Sequence, residues 1–357
     1  MNIVVKISSN LINPDNSIDV LDTIACDIEK LKAEGHSVVI VTSGAVMYGM
    51  KALKLVKRPD TVPLLQTCAS IGQIALMTRF QKTFEKYSII PGEILLSTDD
   101  FNIRSRYLNL RNTIKTLLSN SAVPVINEND TINIEELKLG DNDHLSSLIS
   151  IMLDFDMLII LTDVDGLYNA DPKKTPKAQL IEHVESIDDG VISLASDSTS
   201  LFTTGGMKKK LISASKAAKS GIQVFIGNGF MVSVKKVVSG TERGTYIQSG
   251  EKISARKKWI AFAPGENASI SIDDGAHSAL LNNGASLLAS GITSVQGAFL
   301  RGALISIFHE TKKIAQGLSN YSSEELELIK GKKSKDIQLI ISDYYEEVIH
   351  KNNLYLL

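Results

Sequence analysis

Residues 1–44 read MNIVVKISSNLINPDNSIDVLDTIACDIEKLKAEGHSVVIVTSG, and their periodicity decides the fold. IVVKI (3–7) is a short run of β-forming residues. Ile18, Leu21, Ile24, Ala25, Ile28 and Leu31 then recur at helical spacing, and Gly35 is placed to end that helix. VVIVT (38–42) is a second buried-type run, closing in Ser43 and Gly44. Strand, amphipathic helix and strand make a βαβ unit, which pairs its strands in parallel.

The alternation continues outward. SIIPGEILL (88–96) reads as extended, 105–119 as helix, AVPVI (122–126) as strand and 143–153 as helix. MLIIL (157–161) is another buried-type strand, 206–220 a helix that Gly221 ends, and IQVFI (222–226) a strand. The fold class is α/β, a mainly parallel sheet sandwiched by helices. Near residue 250 the character changes. SGEKISARKK (249–258) is polar and basic, and short β-type runs follow at 259–263, 269–272, 285–288, 303–308 and 313–315. Helices fit at 275–282 and 323–330. The chain therefore divides into an α/β domain at 1–250, a linker at 251–257 and a small, mostly β domain at 258–357.

Composition narrows the classes. A length of 357 residues suits two domains of ~100–200 residues each. Hydrophobic residues make up 43% and charged ones 22%, the balance of a globular protein. Lys and Arg number 38 against 40 Asp and Glu, so the chain is not basic overall. Between 257 and 357, ten basic residues face eleven acidic ones, which argues against RNA as a partner of the second domain. Cys26 and Cys68 form no CxxC pair and no Cys/His cluster, and both read as small core residues. No signal peptide is legible, and no apolar stretch nears the ~18 residues that span a bilayer. A cytoplasmic protein with no membrane partner is expected.

Ligands of open parallel sheets bind beyond the carboxyl ends of the strands, so the residues after each run carry the functional signal. These are Lys6 with Ser8, Ser9 and Asn10, then Thr42-Ser43-Gly44-Ala45, then Asn127-Glu128-Asn129-Asp130. Gly140-Asp141-Asn142-Asp143 opens a helix, Thr162-Asp163 follows MLIIL, and Thr203-Thr204-Gly205-Gly206-Met207 opens the helix carrying Lys208, Lys209 and Lys210. GxxxxGK[ST], GxGxxG after the first strand, HExxH and GxSxG are all absent. What remains suits phosphate. A glycine-rich helix start offers free N–H groups and the positive end of the helix dipole. Lys6 and Lys210 add charge from two elements, and Asp143 could orient them. No histidine but His144 falls at these ends. A carboxylate acceptor would need no base, because it is already ionised at pH 7. Each motif alone has a plainer reading: a solvated lysine face, a tight turn, a capped helix start. Lys6 inside an apolar strand is the hardest to read that way.

Taken together, VVK (4–6), IVTSGAV (40–46), VPVINEND (123–130), KLGDNDHLS (138–146), ILTDVDGLYNADP (160–172) and TGGMKKKL (204–211) resemble the glutamate 5-kinase family. RKKWI (256–260), GASLLASGI (284–292), VQGAFLRG (295–302) and IAQGLSNYSSEEL (314–326) extend the resemblance over nearly the whole chain. It implies an amino-acid-kinase domain followed by a PUA-like domain, and ATP-dependent phosphorylation of the γ-carboxylate of L-glutamate, the first step of proline biosynthesis. By the same resemblance Lys6, Lys210 and Asp143 are catalytic, and Ser43, Asp130 and Asn142 hold glutamate. Lys6, Thr162, Asp163, Thr204, Gly205, Gly206, Met207, Lys208, Lys209 and Lys210 line the ATP site. Mg²⁺ accompanies ATP without protein ligands, proline is a feedback inhibitor, and the protein forms a homo-oligomer. Two positions depart from the family pattern. Ser8 stands where the first loop has Gly, which alters the turn or the fit of ATP, and Lys209 stands where Thr is usual. The alternatives are a kinase of the same fold acting on N-acetylglutamate, aspartate, carbamate or a nucleotide, and an RNA-binding role of the second domain.

Overall fold

The structure, a computed structural model, describes residues 1–97, 99–132, 142–170, 172, 175, 177–195, 206–250, 260–261, 268–341 and 343–356. They cluster into two compact units, Met1–Asp100 with Ser105–Lys252, and Phe101–Arg104 with Ile253–Leu357. The expected linker at 251–257 lies outside the described residues.

In the first unit, β1 (Asn2–Ile7) leads into the helix Val20–Ala33, whose apolar stripe is buried, and Gly35 follows at φ +81°. β2 is Ser37–Thr42, β3 Ile90–Leu96, β4 Ala122–Glu128 and β5 Met157–Thr162. β6 (His183–Val184), β7 (Gln223–Asn228) and β8 (Thr245–Ile247) complete an eight-stranded sheet of order β3-β4-β2-β1-β5-β7-β8-β6. Pairing is parallel from β3 through β7; β8 runs antiparallel to β7. The chain thus leaves β1 to build one side of the sheet and crosses it to build the other. Beside β1 is the switch point where such sheets form a crevice. Ile3, Val5 and Ile7 enter one hydrophobic core with Ile40, Val125, Ile159 and Phe225. By the alternation of a strand, Val4 and Lys6 leave on the opposite face.

Two helices between β2 and β3 carry no boundary in the sequence reading. They span Ala45–Ala52 and Val62–Glu85. The longer one buries Leu65, Cys68, Ala69, Gly72, Leu76, Phe80 and Phe84. That stripe is helical in spacing but built at its centre from Cys, Ala and Gly, so the apolar signal is faint. The small residues are needed for close approach. A Cβ on Gly49 would sit 1.8 Å from the Cys68 carbonyl oxygen, and one on Gly72 would sit 1.8 Å from that of Ala45. Gly44 enters the first of these helices at φ +114°, a conformation that glycine adopts without strain.

The second unit holds a five-stranded sheet of order β10-β9-β11-β12-β13. Its strands are β9 Ser269–Ile272, β10 Ile292–Gln296, β11 Leu304–His309, β12 Lys312–Leu318 and β13 Leu354–Leu356. Its helices include Asp274–Asn283 and Ser323–Ile329, the latter opened by a capping box of Ser322 and Glu325. Two expected strands are corrected. At 259–263, Ile260 and Ala261 are helical, and at 285–288 only Leu287 makes an isolated bridge, to Ile349. Apolar alternation over four or five residues also fits a helical turn or a loop packed on a core. Ile270, Ile305, Ile307, Tyr321 and Ile349 centre a separate hydrophobic core.

Gly72→Ala tests the close helix approach. Alanine should gain about 1 kcal/mol of helix propensity. The displaced backbone should cost more, about 1–3 kcal/mol as for other overpacked cores. A lower midpoint in urea is the expected result; an unchanged or raised midpoint would show that the two helices can separate freely.

Candidate active site

The site begins with Lys6 near the carboxyl end of β1. Two helices bring it partners. Asn142–Leu153 and Met207–Lys219 lie side by side through small residues: Ser147 Oγ donates to the Ser213 carbonyl at 2.9 Å, and Ser146, Ser150, Ala214 and Ala217 are buried. One turn toward the N-termini from this contact stand Asp143 and Lys210, four and three residues earlier. The Lys6 ammonium lies 2.6 Å from Asp143 Oδ1, and the Lys210 ammonium 2.7 Å from Asp143 Oδ2. Lys6 is 5% exposed, Asp143 4% and Lys210 8%. Burial alone would raise the Asp143 pKa. The two ammonium groups prevail and hold the carboxyl well below the usual range. Its place in the first turn of a helix adds the favourable dipole.

The lysine run divides as helical geometry requires. Lys210 faces inward with Ala214 and Ala217, while Lys208 is exposed and Lys209 half-buried. Gly206 is the N-cap of this helix and brings no side chain to bond its first N–H groups, the end of a helix that suits an anion. Met207 is half-buried beside it. Thr204 and Gly205 lie outside the described residues. Across the sheet edge, Thr162 is buried at the end of β5 and donates to Asp163 Oδ1 at 3.2 Å. Asp163 is exposed, and its Oδ2 accepts from Asn10 at 2.9 Å, tying the loops after β1 and β5 together.

Asn142 precedes Asp143 and faces the other way. Its Nδ2 donates to Ser43 Oγ at 2.9 Å and to Asn127 Oδ1 at 3.4 Å. Asn127 Nδ2 donates to Gln73 Oε1 at 2.9 Å, and Gln73 Nε2 to Glu93 Oε1 at 2.6 Å. This relay fixes the Asn142 amide, so its Oδ1 must face elsewhere. That oxygen is buried and has no hydrogen-bond partner among the described residues. An acceptor left so is matched by a donor such as an ammonium group. Asp130 is half-buried in the turn after β4. Asn127, Gln73 and Glu93 carry no role in the sequence reading. Asn127 could have been found, since it lies within the quoted INEND; Gln73 and Glu93 leave no local signal.

Among the described residues no group of three or more His, Cys, Asp or Glu side chains could hold a metal ion. Burial pushes the His144 imidazole down to about 4, so it is neutral near pH 7. The described residues include no helix long and apolar enough to cross a membrane.

The chain is similar to proteins of known family. Residues 1–228 match the amino acid kinase family and residues 268–341 match the PUA domain. The chain belongs to the amino acid kinase family, and it carries a PUA domain at its C-terminal end. The glutamate 5-kinase of Thermoanaerobacter sp. (strain X514) is 40% identical over 100% of this chain and 98% of its own length. That of Citrifermentans bemidjiense (strain ATCC BAA-1014 / DSM 16622 / JCM 12645 / Bem) is 42% identical over 99% of this chain and 97% of its own. Among solved structures, the UMP kinase from Ureaplasma parvum aligns with a TM-score of 0.45 at 16% identity, covering 70% of this chain and 98% of that one.

Asp143→Asn should leave two buried ammonium groups facing each other without a counter-charge. Breaking a buried pair by removing one partner costs about 3–5 kcal/mol, and denaturant titration should show a loss of that size. Wild-type stability in this variant would mean that the lysines do not need the carboxylate.

Proposed function

We propose that this kinase transfers the γ-phosphoryl group of ATP to the γ-carboxylate of L-glutamate, giving L-glutamyl 5-phosphate and ADP, the first step of proline biosynthesis. The observation that carries the reading is the buried Lys6–Asp143–Lys210 bridge beside the open acceptor oxygen of Asn142. The full-length glutamate 5-kinase relatives support it, against N-acetylglutamate, aspartate, carbamate or a nucleotide as acceptor.

The reaction needs little covalent help from the protein. A carboxylate oxygen attacks the γ-phosphorus in line, the bond to the β,γ-bridging oxygen breaks, and ADP leaves with that electron pair. The attacking group is already ionised at pH 7, so no base is required. Charge on the transferring oxygens is met by the Lys6 and Lys210 ammonium groups, held ready by Asp143. Asn142 and Ser43 orient the acceptor, and Asp130 meets the glutamate ammonium. Thr162, Asp163 and the segment 204–210 line the nucleotide site. Mg²⁺ would enter with the nucleotide, held through its phosphate oxygens and water. On this reading residues 1–250 are the catalytic domain, 251–257 a linker and 258–357 the PUA-like domain. The enzyme is cytoplasmic and homo-oligomeric, and proline inhibits it.

Hydroxamate trapping with glutamate, aspartate and N-acetylglutamate tests the acceptor: acyl phosphate should form with glutamate, and its formation with N-acetylglutamate alone would overturn the reading. Lys6→Ala and Lys210→Ala should each lower kcat by about 2.7–4 kcal/mol of transition-state stabilisation, roughly 10²- to 10³-fold. Lys208→Ala, at an exposed position of the same helix, should lower kcat far less than either.

Asp130→Asn keeps the shape but removes the charge. The glutamate KM should rise roughly 10- to 150-fold, the worth of a charge-assisted hydrogen bond, with the ATP KM almost unmoved. A raised ATP KM with normal glutamate KM would place Asp130 at the nucleotide instead.

A further inference from the structure

β1 ends at Ile7, but its ladder does not. The Ser8 amide donates to the Leu161 carbonyl at 3.2 Å, and Ser8 has extended dihedral angles, φ −76° and ψ 153°. Serine needs no glycine-only backbone here, since this conformation is open to any residue. Alternation along the strand carries on through Ser8, so its side chain leaves on the same face as that of Lys6. Ser8 Oγ is buried and has no hydrogen-bond partner among the described residues. Most buried hydroxyls in folded proteins have one, and each orphan calls for a reason.

The reason lies in what stands nearby. Two residues before it, the Lys6 ammonium shares the Asp143 carboxylate with Lys210. A hydroxyl beside paired ammonium groups is suited to donate to an anion that those groups attract. We propose that Ser8 is a further catalytic residue, whose hydroxyl donates a hydrogen bond to an oxygen of the transferring phosphoryl group. The proposal rests on the placement of that group at Lys6. Ser8 keeps its proton and forms no covalent bond. It adds a neutral, directional donor to two cationic ones. Among the described residues its hydroxyl has no partner, and a phosphoryl oxygen would accept its proton.

The test uses the full chain with Ser8→Ala, Ser8→Thr and, for reference, Lys6→Ala, with ATP and glutamate varied in turn and melting followed without ligand. Ser8→Ala should lower kcat roughly 10- to 100-fold, the range for a hydrogen bond to a charged group, with both KM values within about threefold. Its melting temperature should equal or exceed that of the parent, because an orphaned buried hydroxyl is gone. Ser8→Thr, which keeps the hydroxyl on a residue that favours extended backbone, should retain turnover within about threefold. Wild-type kcat in Ser8→Ala beside a crippled Lys6→Ala would remove Ser8 from the reaction and leave the site standing. Full turnover in Lys6→Ala would overturn the site itself, and the proposal with it. A Ser8→Ala variant that melts lower and is not matched by an active Ser8→Thr would show a structural role only. A rise confined to the glutamate KM would move the contact to the acceptor, also against the proposal.

Discussion

Lys6 and Lys210 set two ammonium groups almost out of reach of water, with the Asp143 carboxylate between them as their shared counter-charge. Removing charges from water is costly, and close, well-directed pairing must offset it. The pairing requires β1, the helix Asn142–Leu153 and the helix Met207–Lys219 to converge within hydrogen-bond range. Those elements are far apart in the chain, so the arrangement of the first unit is tied to this one bridge. Function follows from the same electrostatics. Donors preorganised in a dry site stabilise developing charge with little reorganisation when the reaction occurs.

Close approach of backbones makes the bridge reachable. Serine and alanine side chains let the 142–153 and 207–219 helices pack tightly, and the Ser147–Ser213 hydrogen bond fixes their offset. Gly49 and Gly72 do the same for the helices between β2 and β3, the longer of which carries the relay residue Gln73. Larger side chains at these points would change angles by amounts that a hydrogen-bonded site cannot absorb. Here the packing of small residues acts at the level of catalytic geometry.

The N-terminus of the 142–153 helix joins the two halves of the chemistry. Consecutive residues on a helix point about 100° apart. Asp143 therefore serves the cationic side, while Asn142 turns toward Ser43 and Asn127. On the proposed reading, acceptor and phosphoryl group meet across a single peptide unit. The relay through Asn127 and Gln73 to Glu93 sets which end of the Asn142 amide is free, and so which part of a substrate it can receive.

Much of this was legible without coordinates. The strands of the central sheet are continuous apolar runs, because parallel strands are buried on both faces, and the helices between them keep a clean stripe. Lys6 stood out as a charge inside such a run, and polar residues at strand ends marked the binding edge. Elements with weak apolar contrast escaped: the 62–85 helix, whose buried centre is Cys, Ala and Gly, and the short strands β10 and β13. The identity of the charged residues and the order of the elements belong to the sequence. Which lysine of the 208–210 run turns inward, that one carboxylate serves both lysines, and that Gln73 and Glu93 anchor an amide are decided only in the tertiary structure. These are contacts between residues tens of positions apart, and local periodicity holds no information about distances across the sheet.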